Sequence, residues 1–175
     1  MTETITPFRA TLVVFLVALA AFAGAWAFQF AGYQPCDLCL EERYAYYAGV
    51  PLALVLVFLA ARGGPRPVLA AGLTLLALIF AASAVFGAYH AGVEWGFWPG
   101  PSACTGAIKP APTMGDFLKD LNTVKVVRCD AVAIRILGLS LAVWNAVVSL
   151  VLALVAALGA KSAGRPSPRL RGEVR

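Results

Sequence analysis

Four stretches of this chain, residues 10–35, 44–61, 67–89 and 136–160, contain no charged residue. That pattern restricts the fold more than any other feature. A helix rises about 1.5 Å per residue and a bilayer's hydrocarbon core is about 30 Å thick, so roughly 20 apolar residues span it. The predicted spans lie near 10–31, 44–61, 68–89 and 138–159. The composition agrees: 61% of the 175 residues are apolar and 13% charged, where a soluble domain has about 45–50% and about 25%.

The expected fold is therefore all-α: a four-transmembrane-helix bundle forming a single membrane domain, 1–160, with a basic tail, 161–175, that is expected to be disordered. A cleaved signal peptide is the alternative for the first run, because Ala25-Trp26-Ala27 resembles a small-residue cleavage site. The run is longer than a signal core of about 7–15 residues, however, and only Arg9 precedes it. Small residues recur at helical spacing at Ala20, Gly24, Ala27 and Ala31, and again at Ala77, Ala81, Ala84 and Ala88. Such rows let helices approach closely in lipid.

Basic residues set the predicted orientation. The N-terminus, the 62–67 turn and the tail hold eight basic residues against Glu3 and Glu173, whereas 32–43 and 90–135 hold six basic and seven acidic. The compact basic segments mark the cytoplasmic side, so both termini are expected there. The tail's charge suits anionic lipid headgroups, and no nucleic-acid partner is expected.

This topology puts Cys36, Cys39, Cys104 and Cys129 in two external loops, 32–43 and 90–137. In a bacterial-type cell that side is oxidising and disulfides persist there. Three readings stand open. Four thiolates could bind zinc, but structural zinc sites pair two short-spaced motifs, and here the gaps are two residues and 24. Two structural disulfides are a stronger alternative, although a bridge across two residues removes little chain entropy. The third reading is a redox couple, as in thioredoxin-like Cys-x-x-Cys motifs.

The neighbours of the first pair favour redox chemistry. Pro35 fixes the backbone entering Cys36, and the helix holding the 44–61 span is expected to begin just after Cys39, which puts the pair at its N-terminal end, whose partial positive charge favours thiolate. Glu41 and Glu42 suit a first turn. Arg43 opposes the dipole; it is either a boundary arginine snorkelling to headgroups or a fixed cation one helical turn from Cys39, aimed at a developing anion. A haem would need axial ligands, and the chain offers only His90, Met1 and Met114. No glycine fingerprint for a flavin or nucleotide is present. No metal, haem or flavin is therefore expected. A quinone dissolved in the bilayer is the acceptor left by elimination, and an arginine could stabilise the anion formed on its oxygen.

PCDLCLEER, the four spans, the second cysteine pair and a long loop ending in CDAVAIRILGL together resemble the disulfide bond formation protein B family. The resemblance runs from about residue 10 to 160 and implies a multi-pass protein of the bacterial inner membrane with its cysteine loops facing the periplasm. It implies a thiol oxidase that reoxidises a DsbA-like, thioredoxin-fold periplasmic partner and passes the electrons to ubiquinone or menaquinone. Such a partner is itself a strong oxidant, so its reoxidation needs strongly oxidising cysteines or a quinone that pulls the exchange forward. On this resemblance Cys36 and Cys39 are the quinone-proximal pair, and Cys39 interacts with the ring. Arg43 matches the quinone-site arginine, Cys104 the cysteine attacked by the partner, and Cys129 its resolving mate. Exchange between pairs would pass through a Cys36–Cys129 disulfide. His90 lies where the family has a histidine near the quinone, or is simply an interfacial polar residue. Glu42 is taken with Arg43 and His90 as a candidate cofactor-binding residue.

Residues 92–106, and Ile134 with Arg135, depart from the better-known enteric form. Trp95, Phe97 and Trp98 read as an interfacial aromatic belt or as the rim of a partner groove. Pro99, Gly100, Pro101 and Gly106 predict an exposed, structureless setting for Cys104. Residues 116–127 are expected to form a short amphipathic helix, lying on the membrane or packed on the loop. A non-enzymatic protein with two loop disulfides, and an outward-directed thiol reductant relay, remain the competing functions.

Overall fold

A computed structural model of the chain describes residues 5–102, 104, 113–114 and 127–165. Four helices dominate: α1 Pro7–Phe30, α2 Asp37–Ala61, α3 Arg66–Glu94 and α4 Leu141–Gly164. Each is long and apolar enough to cross a membrane. Their starts follow local chemistry. Thr6 caps α1, its side chain accepting from Arg9 N at 3.3 Å, with Pro7 in the first turn. Ser140 caps α4 by accepting from Val143 N at 3.3 Å. Both satisfy a backbone donor that a helix start leaves open.

Two helices exceed their predicted bounds. α2, expected to begin just after Cys39, begins at Asp37, so Cys39 itself rides on the helix with Glu42 and Arg43 and Cys36 is its N-cap. α3 runs 29 residues to Glu94, about 43 Å at the helical rise. Its last turns, which carry His90 and Glu94, therefore exceed what the hydrocarbon core requires.

The helices alternate in direction and form a ring in chain order, with α1 also packing against α4. One end of the bundle holds the cysteines. At the other, Arg66 donates to Ala163 O (3.2 Å) and Ser162 O (3.0 Å), covering the carbonyls at the end of α4. The core is formed by residues such as Val14, Ala18, Leu56, Leu73, Leu76, Phe80 and Leu152, all at most 3% exposed. Halfway along, Tyr46, Asn145, Ser149 and Ser83 join α2, α3 and α4 by hydrogen bonds of 2.7 to 3.4 Å, as buried polar groups in lipid require.

The predicted small-residue rows are packing faces only in part: Ala77 packs against the core, but most of the others do not. Ala20, Ala27, Ala31, Ala81 and Ala88 are exposed, and an added Cβ on Gly24 would meet nothing within 4 Å. Close approach occurs at other glycines. A Cβ on Gly159 would lie 2.5 Å from Ala10 Cβ, and one on Gly87 would lie 2.9 Å from Ala146 N. Because the obstacle at Gly87 is backbone, Gly87→Val is expected to force α3 and α4 apart and cost about 1–3 kcal/mol. Thermal denaturation in detergent checks this; an unaltered melting temperature would mean that the interface yields.

A small feature was not predicted. Arg135–Ile136 and Leu139–Ser140 form a two-stranded antiparallel pair, β1 and β2, around Leu137 (φ 52°) and Gly138 (φ 82°). Two positive φ values match a tight hairpin turn, and Trp144 Nε1 donates to Ile136 O at 2.9 Å to tie the hairpin to α4. Trp95, Phe97 and Trp98 stay 42% or more exposed, with Trp98 stacked on Tyr89 at 5.9 Å. The amphipathic helix predicted for 116–127 lies outside the described residues except for Val127, as does the tail beyond Arg165.

Candidate functional site

Cys36 is positioned by Pro35 and by the start of α2. Its Sγ accepts from Cys39 N at 3.2 Å, and the two residues form a disulfide with Cα atoms 5.1 Å apart. Cys104 and Cys129 form the second disulfide, also with a Cα separation of 5.1 Å. These pairs do not stand apart. Cys36, Leu38, Val93, Cys104 and Cys129 form one buried cluster, against which Cys39, Phe86, Tyr89 and Val127 pack.

The environment of Cys104 corrects the expectation of an exposed residue. It is 1% exposed, as is Cys129. Its N–H donates to Pro101 O at 2.9 Å, and its carbonyl accepts from Cys129 N at 3.3 Å. Gly100 lies so close that a Cβ there would meet Val93 at 3.0 Å and Cys104 Cβ at 3.6 Å.

His90 and Glu42 meet beside the first pair. His90 Nδ1 lies 2.8 Å from Glu42 Oε1 and Nε2 lies 3.7 Å from Cys36 Sγ. His90 is 2% exposed, so it is an integral part of the cysteine cluster and not a residue lying loose at the interface. Glu94 on the next turn is hydrogen-bonded to Ser140, linking the end of α3 to the start of α4.

Arg43 does not snorkel. It is 7% exposed and folds back on α1. Nη1 donates to Gln29 Oε1 at 2.5 Å and Nη2 to Ala25 O at 3.3 Å, with the guanidinium carbon 5.2 Å from the Trp26 ring centre. Gln29, Trp26 and Tyr46 were not singled out from the sequence. Gln29 had a visible signal, because it is a polar side chain in the last turn of an apolar run.

These groups surround one cavity of about 310 Å³, which reaches all four helices. Cys36, Cys39, Cys129, Arg43, Glu42 and His90 border it, with Phe22, Phe28, Ala142 and Val148 among its apolar walls. The structure thus brings together six of the seven predicted site residues, while Cys104 lies behind Cys129. At the cavity's edge, Arg128, which also lines it, forms an exposed ion pair with Asp130 that flanks Cys129 and holds the Asp130 carboxyl below its usual range.

The family profile for "Disulfide bond formation protein DsbB" matches residues 8–159, nearly the whole chain. The chain belongs to the DsbB family. It is also similar to "Uncharacterized protein RP370" of Rickettsia prowazekii (strain Madrid E), 24% identical over 144 residues that cover 81% of this chain and 80% of the relative. No solved structure matches it. As a DsbB-family protein it is a four-helix, multi-pass membrane protein of disulfide-bond formation, with a thiol oxidoreductase role.

Proposed function

We propose that this protein is a bacterial inner-membrane thiol oxidase that reoxidises a DsbA-like thioredoxin-fold partner in the periplasm and delivers the electrons to a membrane quinone. The observation that carries this reading is the joining of both disulfides in one buried cluster beside a cavity that also holds Arg43. Two disulfides serving only as staples would have no need to share a ligand-sized cleft.

The cavity fits a quinone head. Its volume is at the small end of ligand clefts, about 300–1,000 Å³, its walls are largely apolar, and Arg43 supplies fixed positive charge. When bound, a quinone supplies an acceptor for two electrons and two protons. Two Arg43 donors are directed at α1; a guanidinium has five, which leaves others for an oxygen in the cavity.

The chain's own residues provide the relay. The partner's thiolate attacks Cys104, breaking its bond to Cys129 and leaving a mixed disulfide. The partner's second thiolate then displaces Cys104, so the partner leaves oxidised and Cys104 and Cys129 are left as a dithiol. Cys129 attacks Cys36, opening the Cys36–Cys39 bond, and Cys104 closes on Cys129 again. The pair next to the cavity now carries both electrons. His90 Nε2 is placed to take a proton at Cys36, with Glu42 orienting the ring. Because Cys36 is an N-cap, the helix start favours thiolate.

The test uses purified protein with excess reduced thioredoxin-fold partner and a short-chain quinone. One quinone should be reduced per partner disulfide formed. Partner thiols that persist would reject the reading in favour of structural disulfides, and reduction of oxidised partner when a quinol replaces the quinone, without the forward reaction, would reject it in favour of an outward reductant. Cysteines introduced at exposed positions of the two loops, Tyr33→Cys (45% exposed) and Phe97→Cys (69% exposed), should react with an impermeant maleimide in intact cells; protection of either would overturn the orientation.

A further inference from the structure

Cys36, Cys39 and His90 converge on one point. Both sulfurs and a ring nitrogen lie within 4.8 Å of one another, and the nitrogen facing Cys36 is Nε2, at 3.7 Å. The other nitrogen is held by Glu42 Oε1 at 2.8 Å. A histidine that donates from Nδ1 to a carboxylate presents Nε2 as a lone pair. The same carboxylate–imidazole pairing orients histidines that ligate metals. While the disulfide is intact its sulfurs are spent on each other. Reduction frees two thiols beside a ready imidazole.

We infer that the reduced Cys36–Cys39 pair and His90 form a redox-gated site for a thiophilic divalent cation, with zinc the best match. Two thiolates and one imidazole make a three-ligand zinc set whose fourth position takes water, and the adjoining cavity has room for it. This differs from a four-cysteine zinc site, because the third protein ligand comes from α3. Binding exchanges two thiol protons for two zinc–sulfur bonds and adds one zinc–nitrogen bond; no electron moves. Cys39 N already points at the Cys36 sulfur, an arrangement that stabilises thiolate and so favours the exchange. A bound ion occupies both sulfurs and blocks their reoxidation. Zinc therefore acts as a reversible inhibitor of the reduced protein and leaves the oxidised one untouched. None of this depends on the identity of the electron acceptor.

The experiment measures zinc binding by full-length protein in detergent, free of quinone, reduced anaerobically and cleared of reductant, in competition with a chromophoric chelator. Cys104→Ala/Cys129→Ala protein is measured beside the wild type, so that the second pair cannot supply ligands. Both proteins should bind one zinc per chain when reduced and none when oxidised, with release of protons. Cobalt should give a sulfur-to-metal charge-transfer band. Glu42→Gln should weaken zinc binding about 10- to 100-fold, and His90→Ala at least as much. Glu42→Gln keeps the size of the side chain, so it decides the matter if His90→Ala fails to fold. Equal binding by oxidised and reduced protein would overturn the inference. So would loss of the site in the Cys104→Ala/Cys129→Ala protein, or wild-type affinity in Glu42→Gln.

Discussion

Replacing Cys36 by serine is expected to stop steady-state oxidation of the partner, leaving only the uncatalysed background. Serine is a good N-cap, so its hydroxyl can take over the contact that Cys36 Sγ makes with Cys39 N and α2 should start where it does now. A loss of turnover would then report chemistry and not misfolding. The Cys104–Cys129 disulfide would remain able to oxidise one equivalent of partner. The signature is a single stoichiometric burst with no quinone reduced, read by thiol counting and quinone absorbance in one sample. Sustained turnover by Cys36→Ser would exclude the proposed relay, whatever the fate of the other residues.

Arg43→Ala is expected to raise the apparent KM for quinone about 10- to 100-fold, the worth of a charge-assisted hydrogen bond of roughly 1.5–3 kcal/mol. The partner's KM should change little, because Arg43 borders the cavity and contacts α1, whereas Cys104 lies behind Cys129. Arg43→Lys separates charge from geometry. An ammonium keeps the charge but cannot donate to Gln29, Ala25 and a ligand with the same fork, so a partial defect is expected. An unchanged quinone KM in Arg43→Ala would reduce the arginine to a clamp between α1 and α2.

The spans were readable because lipid imposes a simple rule, and a charge-free run long enough to cross the core has few other uses. The start of α2 was nearly readable, because Glu41 and Glu42 suit a first turn after Cys39. What the sequence did not show is that Cys36 caps the helix and that Glu42 and Arg43 turn toward partners on α3 and α1. Those partners are 48 and 14 residues distant, so spacing alone could not reveal them. The packing faces were only partly legible for a related reason. Alanine rows marked positions where helices could approach, but the approach occurs at Gly87 and Gly159, chosen by which surfaces meet. The hairpin lacked the usual asparagine–glycine or aspartate–glycine signal, since Leu137 precedes Gly138. All four cysteines were identifiable by type and loop. That Cys104 is buried in one cluster with Cys36 and Val93, with Gly100 close by, is a tertiary fact.

The covering of Cys104 separates two kinds of reductant. A small thiol approaching Cys104, which is only 1% exposed, has no surface with which to displace the residues that bury it. A protein can trade docking contacts for that displacement. On the proposed relay, the oxidising equivalents held at this end of the bundle are thus insulated from the diffusing thiol pool and released selectively, with admission set by recognition and not by redox potential alone.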